Sequence, residues 1–285
     1  MQDLGYYNGE YGPLHDMKIP FNDRVCFFGD GIYEATGYEH GRIFHLEAHL
    51  QRFAASAEFM RLYLPCSSSE LADLLYAMAA KVDGEPLQIY WQLTRGTAPR
   101  SHPFPAGVPA NLWIMIRPTQ YPDLSKRIKL TAAEDTRYLH CNIKTLNLIP
   151  NVMASQKAAE EGCAECVFHR GEIVTECSHS NISILKDGVF RTHPDDNYIL
   201  PGVAKARLIQ ACLSLGIPVK ERAFTLAELR QADEVIVSSS TKFCLLADTF
   251  CGAPVGGRDT ATAQRLQDWV LNELGISVQR LSDLA

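Results

Sequence analysis

The sequence predicts an α+β protein built from two domains. Three observations carry that prediction. Apolar residues recur with a strand period in some stretches and a helical period in others, but the two do not alternate regularly, so a doubly wound parallel sheet is disfavoured. Short hairpin signals punctuate both halves of the chain. The stretch RPTQYPDLSKR, Arg117 to Arg127, is rich in proline and polar residues and reads as a linker. It divides the 285 residues into a smaller domain over 1–120 and a larger one over 121–285.

The elements follow in order. YYNGEYG turns at Asn8-Gly9, a hairpin dipeptide, and GIYEATGYEHGRIFHL reads as two strands around His40-Gly41. In LEAHLQRFAASAEFMRLYL, Leu46, Leu50, Phe53, Ala57 and Met60 share one helical face, and the helix ends before Pro65. SSSELADLLYAMAAKVDG opens with Ser67 and Glu70 in capping-box register and stops at Gly84. LQIYWQLTRG and NLWIMIRP are strands. The loop between them, TRGTAPRSHPFPAGVPA, is long and proline-rich for a mere connection, which suggests a binding loop.

In the second half, RIKLTAAEDTRYL is a strand or strand pair and NVMASQKAAEEGC a helix that stops at Gly162. AECVFHRGEIVTECSHSNISILKDGVFRTHP reads as three strands turned at Arg170-Gly171 and Asp187-Gly188. PGVAKARLIQACLSLG starts a helix after Gly202 and ends it at Gly216. TLAELRQADEVIVSSSTK gives a capped helix and then a strand.

Composition excludes several function classes. A net charge of −6 leaves no basic footprint for nucleic acid or for an anionic membrane surface. No apolar run reaches the ~18 residues of a membrane span. The opening MQDLGYYNGEYGPLHD has neither the charged nor the apolar region of a signal peptide. The expectation is a cytoplasmic protein whose partners are small molecules and copies of itself. Nine cysteines have no framework spacing, and CAEC at Cys163–Cys166 has no second pair at zinc-site distance. They read as reduced thiols, with no metal expected.

Four stretches can carry chemistry. In DTRYLHCNIKTLNLIP, Lys144 sits among Ile143, Leu146 and Leu148. A desolvated lysine is a nucleophile toward carbonyls, the requirement for a Schiff base, whereas a lysine at a strand end ordinarily keeps its head in water. In GEIVTECSHSNISIL, Glu176 precedes Ser178, Ser180 and Asn181, short polar groups able to line an anion or a cofactor ring, or simply to face solvent. In ILPGVAKARL, Gly202 opens a helix whose free N–H groups suit a phosphate, and VSSSTK sets a second hydroxyl cluster at a strand end. In RGTAPRSHPFP, Arg95, Arg100 and His102 stand among Pro99, Pro103 and Pro105. The prolines hold the loop at low entropic cost, and arginine grips a carboxylate bidentately.

Taken together, FFGDGIYE, HLQRF, RGTAPRSHPFP, DTRYLHCNIKTLNL, VTECSHSN and LPGVAK resemble the fold-type IV pyridoxal-phosphate aminotransferases over nearly the whole chain. RGTAPRSHPFP and CNIKTLNL are most similar to the D-amino-acid branch of that family. The resemblance implies a small N-terminal α/β domain and a larger, β-barrel-like C-terminal domain with helices that carries the cofactor lysine. It implies that Lys144 holds pyridoxal phosphate as an imine and shuttles a proton, and that Glu176 pairs with the pyridine nitrogen. Arg52, the backbone at Val203 and Ala204, and Ser239 and Ser240 would take the phosphate. Leu200 would pack on the ring, and Ser180 and Asn181 would line the cofactor. Tyr33, Arg100 and His102 would trap the α-carboxylate, the loop 95–107 reaching the neighbouring subunit's site in a homodimer. Two positions depart from the pattern. Ala204 stands where a threonine hydroxyl often meets the phosphate, a loss of about 1.5–3 kcal/mol in cofactor affinity. His179 interrupts a stretch that is often serine.

The implied reaction is D-alanine plus 2-oxoglutarate to pyruvate plus D-glutamate, by a ping-pong route. On the same fold, a branched-chain L-amino-acid aminotransferase and an aminodeoxychorismate lyase are the alternatives, and neither calls for the Arg100–His102 pair. A dimeric binding protein without catalysis would not need Lys144, Glu176 and Arg52 together.

Overall fold

The computed structural model describes residues 2–276. They divide into two compact units, one of residues up to 120 with 143–147, the other of 121–142 with the chain from 148 onward.

The first unit is an antiparallel sheet with helices packed on it. Its strands are β1 (Leu4–Tyr7), β2 (Glu10–Gly12), β3 (Gly31–Glu39), β4 (Arg42–Ile43), β5 (Leu87–Thr94) and β6 (Asn111–Pro118), in the order β2-β1-β6-β5-β3-β4. The β1–β2 turn uses Asn8 and Gly9 at φ 48° and 102°, the positive values a tight hairpin requires. The short α1 (Val25–Phe28) precedes β3; α2 (Leu46–Met60) and α3 (Ser68–Ala79) follow β4. Leu46, His49, Leu50, Phe53 and Ala57 form the buried stripe of α2, spaced for one helical face. The expected capping box at Ser67 and Glu70 starts α3. Phe53, Leu71 and Leu75 close the core over Ile89, Trp91 and Ile114.

The second unit is a mixed sheet. It contains β7 (Ile128–Glu134), α4 (Ile149–Glu160), β8 (Glu165–Arg170), β9 (Ile173–Cys177), β10 (Asn181–Lys186), β11 (Val189–Thr192), α5 (Val203–Ser214), β12 (Val219–Glu221), α6 (Leu226–Arg230), β13 (Glu234–Ser238), β14 (Leu245–Phe250), β15 (Ala253–Pro254) and α7 (Thr260–Leu274). The strand order is β12-β11-β10-β13-β14-β7-β8-β9, with β15 paired to β14. Pairs β7–β8 and β11–β12 are parallel, so each needs a crossover. Helices α4 and α5 supply them. Ala154 and Ala158 of α4 seat on Cys166 and Phe168 of β8. Among the described residues no helix is long and apolar enough to cross a membrane.

Two expectations change. The stretch 164–192 forms four strands, not three: Ser178–Ser180 break the run after β9, where Cys177 N–H donates to Ser180 O at 2.7 Å. The lysine segment, expected in the second domain, clusters with the first unit, because residues 144–146 pair with the start of β3. Beyond Lys242, where the sequence reading gives no element, β14, β15 and α7 complete the second unit.

Candidate active site

In the first unit, Lys144 is fixed by its backbone. Tyr33 N–H donates to Lys144 O at 3.0 Å, Leu146 N–H donates to Gly31 O at 3.0 Å, and Thr145 bridges Ile32. Gly31 permits this approach: a Cβ there would stand 2.5 Å from Leu93 O and 2.8 Å from Leu146 Cδ1. The segment turns tightly at Lys144, where Thr145 N–H donates to Ile143 O at 2.9 Å. Ile143 packs into the core, whereas the half-buried Lys144 places Nζ 4.3 Å from the centroid of the Tyr33 ring. That ring stacks on Tyr90 at 5.5 Å.

Arg52, half-buried on α2, is oriented by Glu34 on β3. Its Nε and Nη2 donate to the two carboxylate oxygens, each at 2.7 Å, a bidentate pair. His49 Nδ1 lies 2.7 Å from the same carboxylate. Burial alone would raise the Glu34 carboxyl, but Arg52 and His49 overcome it and hold it at about 2. His49 itself is pushed down, burial outweighing the pull of Glu34.

Arg100 and His102 are exposed and share one support, the Phe28 ring: Arg100 Cζ and the His102 ring centre each lie 5.2 Å from its centroid. Arg95, grouped with them on sequence, has a different task. It is buried, its Nε donates to both Asp30 oxygens (3.1 and 2.9 Å), and its Nη atoms donate to the carbonyls of Arg61 and Met60.

In the second unit, Glu176 at the end of β9 is buried and held from both sides. Arg137 Nη1 donates to Oε1 at 2.5 Å; Asn181 Nδ2 at 3.1 Å and Leu200 N–H at 3.0 Å donate to Oε2. Burial pushes the Glu176 carboxyl above its ordinary value against the pull of Arg137. Arg137 is itself fixed by Asp135 through Nε and Nη2, at 3.0 and 2.9 Å. Sequence reasoning missed Arg137 and Asp135. They lie in the same DTRYLHCNIK stretch as Lys144, and the charged pair two positions apart was the signal available.

Ser180 and Asn181 face protein rather than open space. Ser180 Oγ donates to Glu165 Oε1 at 2.7 Å, and Asn181 gives its amide to Glu176 and to Leu200 O. His179 finds a place here: its Nδ1 is 3.2 Å from Glu165 Oε1, beside Lys242 Nζ at 3.0 Å. Gly202 caps α5 without a side-chain hydrogen bond, so the N–H groups of Val203 and Ala204 lack intrahelical partners. A Cβ at Gly202 would lie 1.8 Å from Asn181 Oδ1, so this glycine is required for close packing. Ser239 Oγ accepts from Lys242 N–H at 3.1 Å in the turn after β13 that also carries Ser240. Ser238 Oγ is buried with no hydrogen-bond partner among the described residues.

Each unit separately carries groups of the kinds a phosphorylated pyridine aldehyde takes: an amine and an oriented guanidinium in the first, and uncapped N–H groups at the positive end of a helix and a buried carboxylate in the second. A carboxylate has about four lone-pair sites, and the described donors to Glu176 use three of them.

Solved structures share the chain's fold. The branched-chain aminotransferase of Thermoproteus uzoniensis with norvaline aligns with TM-score 0.86 over 98% of this chain and 97% of that one, at 22% identity. A T.th. branched-chain amino acid aminotransferase complexed with N-(5'-phosphopyridoxyl)-L-glutamate gives 0.88 over 96% and 95%, at 21% identity. The fold is therefore the one these aminotransferase structures share. The model of the family described as amino-transferase class IV matches residues 31–247. The D-alanine aminotransferase of Listeria monocytogenes is 40% identical over 231 residues, 79% of this chain and 80% of that protein. The D-alanine aminotransferase of Staphylococcus aureus is 38% identical over 269 residues, 92% and 95%. The chain belongs to the class IV aminotransferases, enzymes that work with pyridoxal phosphate.

The Glu34 cluster yields a prediction. A carboxyl held at about 2, below its ordinary 4.5, stabilises the fold above the ordinary value and loses that contribution as pH falls toward 2. The full effect is on the order of 3 kcal/mol. Urea unfolding of the parent and Glu34→Gln should differ most at pH 6–7 and converge between about pH 4.5 and 2. A constant difference across that range would mean that Glu34 is not the depressed group.

Proposed function

We propose that this aminotransferase acts on D-amino acids, moving the amino group of D-alanine to 2-oxoglutarate. The observation that carries the reading is the exposed Arg100–His102 pair on a proline-stiffened loop. The D-alanine aminotransferases at 38–41% identity support it.

Bound pyridoxal phosphate supplies an electron sink for the pair left when the substrate Cα–H bond breaks. Lys144 Nζ would hold the cofactor and, as a free amine, would carry the proton between substrate Cα and the cofactor's C4′. Glu176 keeps a proton on the ring nitrogen, and Arg137, Asn181 and Leu200 N–H keep Glu176 in place. Arg52, the N–H groups of Val203 and Ala204, and Ser239 and Ser240 take the phosphate. Leu200 covers the ring. Ser180 and Asn181 act through Glu165 and Glu176. Tyr33, Arg100 and His102 hold the α-carboxylate, with loop 95–107 serving the neighbouring copy in a cytoplasmic homodimer. We also take 120/121 as the domain boundary, the Lys144 segment being a return of the chain to the first domain.

The test is direct. Incubation with D-alanine and 2-oxoglutarate should give pyruvate and D-glutamate. Formation of 4-methyl-2-oxopentanoate and L-glutamate from L-leucine instead would assign the branched-chain activity.

Arg100→Ala should decide recognition without removing the cofactor. Losing a hydrogen bond to a charged group costs about 1.5–3 kcal/mol, hence about one to two decades in kcat/KM for D-alanine. A primary amine lacking a carboxylate should be hardly affected. Unchanged D-alanine kinetics would place the carboxylate elsewhere.

Glu176→Gln should keep the cofactor bound, as read from visible absorbance, and lower kcat on the order of 10²-fold, the scale for losing one charge-stabilising group. Parent-like turnover would remove Glu176 from the ring nitrogen.

A further inference from the structure

We infer that Arg24 and Phe28 are positioning residues for substrate recognition: Arg24 clamps the backbone of the loop that carries Arg100 and His102, and Phe28 is the platform on which both side chains rest. The inference relies on the assignment of Arg100 and His102 to the substrate carboxylate.

Arg24 precedes α1 and is almost fully buried, its side chain 3% exposed. Its Nη1 donates to Ser101 O at 2.5 Å, its Nη2 reaches His102 O at 3.4 Å, and its Nε donates to Asp30 Oδ2 at 2.8 Å. One guanidinium thus grips the carbonyls directly after Arg100. A buried arginine is a costly device for holding a loop, and its planar fork suits holding several acceptors at fixed angles.

Asp30 gives the clamp a rigid base. The same carboxylate receives Arg95 Nε, and Arg95 Cζ lies 3.6 Å from the centroid of Phe104. One buried acid therefore ties down the start of the loop at residue 95 and its middle at 101–104. The main chain adds Arg24 N–H to Gly96 O at 3.0 Å, Ala98 N–H to Asn22 O at 3.1 Å and Arg95 N–H to Asp30 O at 3.0 Å. Phe28 completes the arrangement. Arg24 Cζ is 4.8 Å from its centroid, Arg100 Cζ 5.2 Å, and the His102 ring 5.2 Å at a 49° tilt. Arg100 and His102 thus share one aromatic neighbour.

The variants are Arg24→Lys and Phe28→Leu. Lysine keeps the charge beside Asp30 but cannot fork to two carbonyls. Leucine keeps apolar bulk but not a flat ring. The cofactor-loaded enzyme is mixed with D-alanine alone, so that no oxo acid adds its own carboxylate, and the donor half-reaction is followed by absorbance. Half-saturation should rise about ten- to a hundredfold in each variant, the scale of a displacement near 1 Å. The maximal rate should move less than about threefold, since the lost contact is to the bound carboxylate. In an Arg100→Ala background either change should raise half-saturation by a smaller factor than in the parent, the remainder acting through His102.

Half-saturation like the parent's in both variants, while Arg100→Ala is impaired, overturns the inference. So does a fall in maximal rate with half-saturation unchanged, or full additivity with Arg100→Ala. If Arg100→Ala itself behaves like the parent, it is the carboxylate assignment that fails. Should Arg24→Lys not fold, Phe28→Leu carries the same readout.

Discussion

The first unit depends on a short backbone pairing, Gly31–Tyr33 against Lys144–Leu146. It brings a segment distant in sequence onto the start of β3 and fixes which way each side chain points. With Ile143 turned into the core, Lys144 is left to lie over Tyr33. One residue further along β3, Glu34 reaches Arg52 and His49 of α2. A single strand thus organises the amine, the aromatic ring beneath it and the guanidinium. Gly31 allows the pairing because any larger residue would strike Leu93 O.

Buried acids recur as the device that orients the guanidinium groups. Glu34 holds Arg52, Asp30 holds Arg24 and Arg95, and Asp135 holds Arg137, which in turn holds Glu176. Removing two charges from water is expensive, and such pairs give little net stability over an apolar replacement. What they supply is orientation: a guanidinium bonded at Nε and one Nη has few rotamers left. Glu176 differs in sign from Glu34 and Asp135, which their arginines hold low against burial. Burial raises it, and three donors keep it oriented as an acceptor.

The departures from the family pattern now have physical surroundings. His179 joins Lys242 and two serines around the buried Glu165, so its imidazole stands in a carboxylate's field. Ala204 lies in the uncapped first turn of α5, where the backbone N–H remains as a donor without a hydroxyl beside it.

The sequence by itself determined the local elements and the kinds of donor. Asn8-Gly9, the Ser67–Glu70 capping box and the apolar stripe of α2 act over a few residues, so their physics is written in adjacent letters. The motif around Lys144 named the amine, and the proline-rich loop named the arginine and histidine. The fourth strand after Cys177 was hidden because its break is made by Ser178 and Ser180 bonding Glu165, not by a turn dipeptide. Only the tertiary structure decided which acid meets which base. Arg52 and Glu34 are 18 residues apart, Arg137 and Glu176 39, Arg95 and Asp30 65. Charge pairing carries no sequence period, and burial, which sets the strength of each pair, exists only once strands and helices have packed.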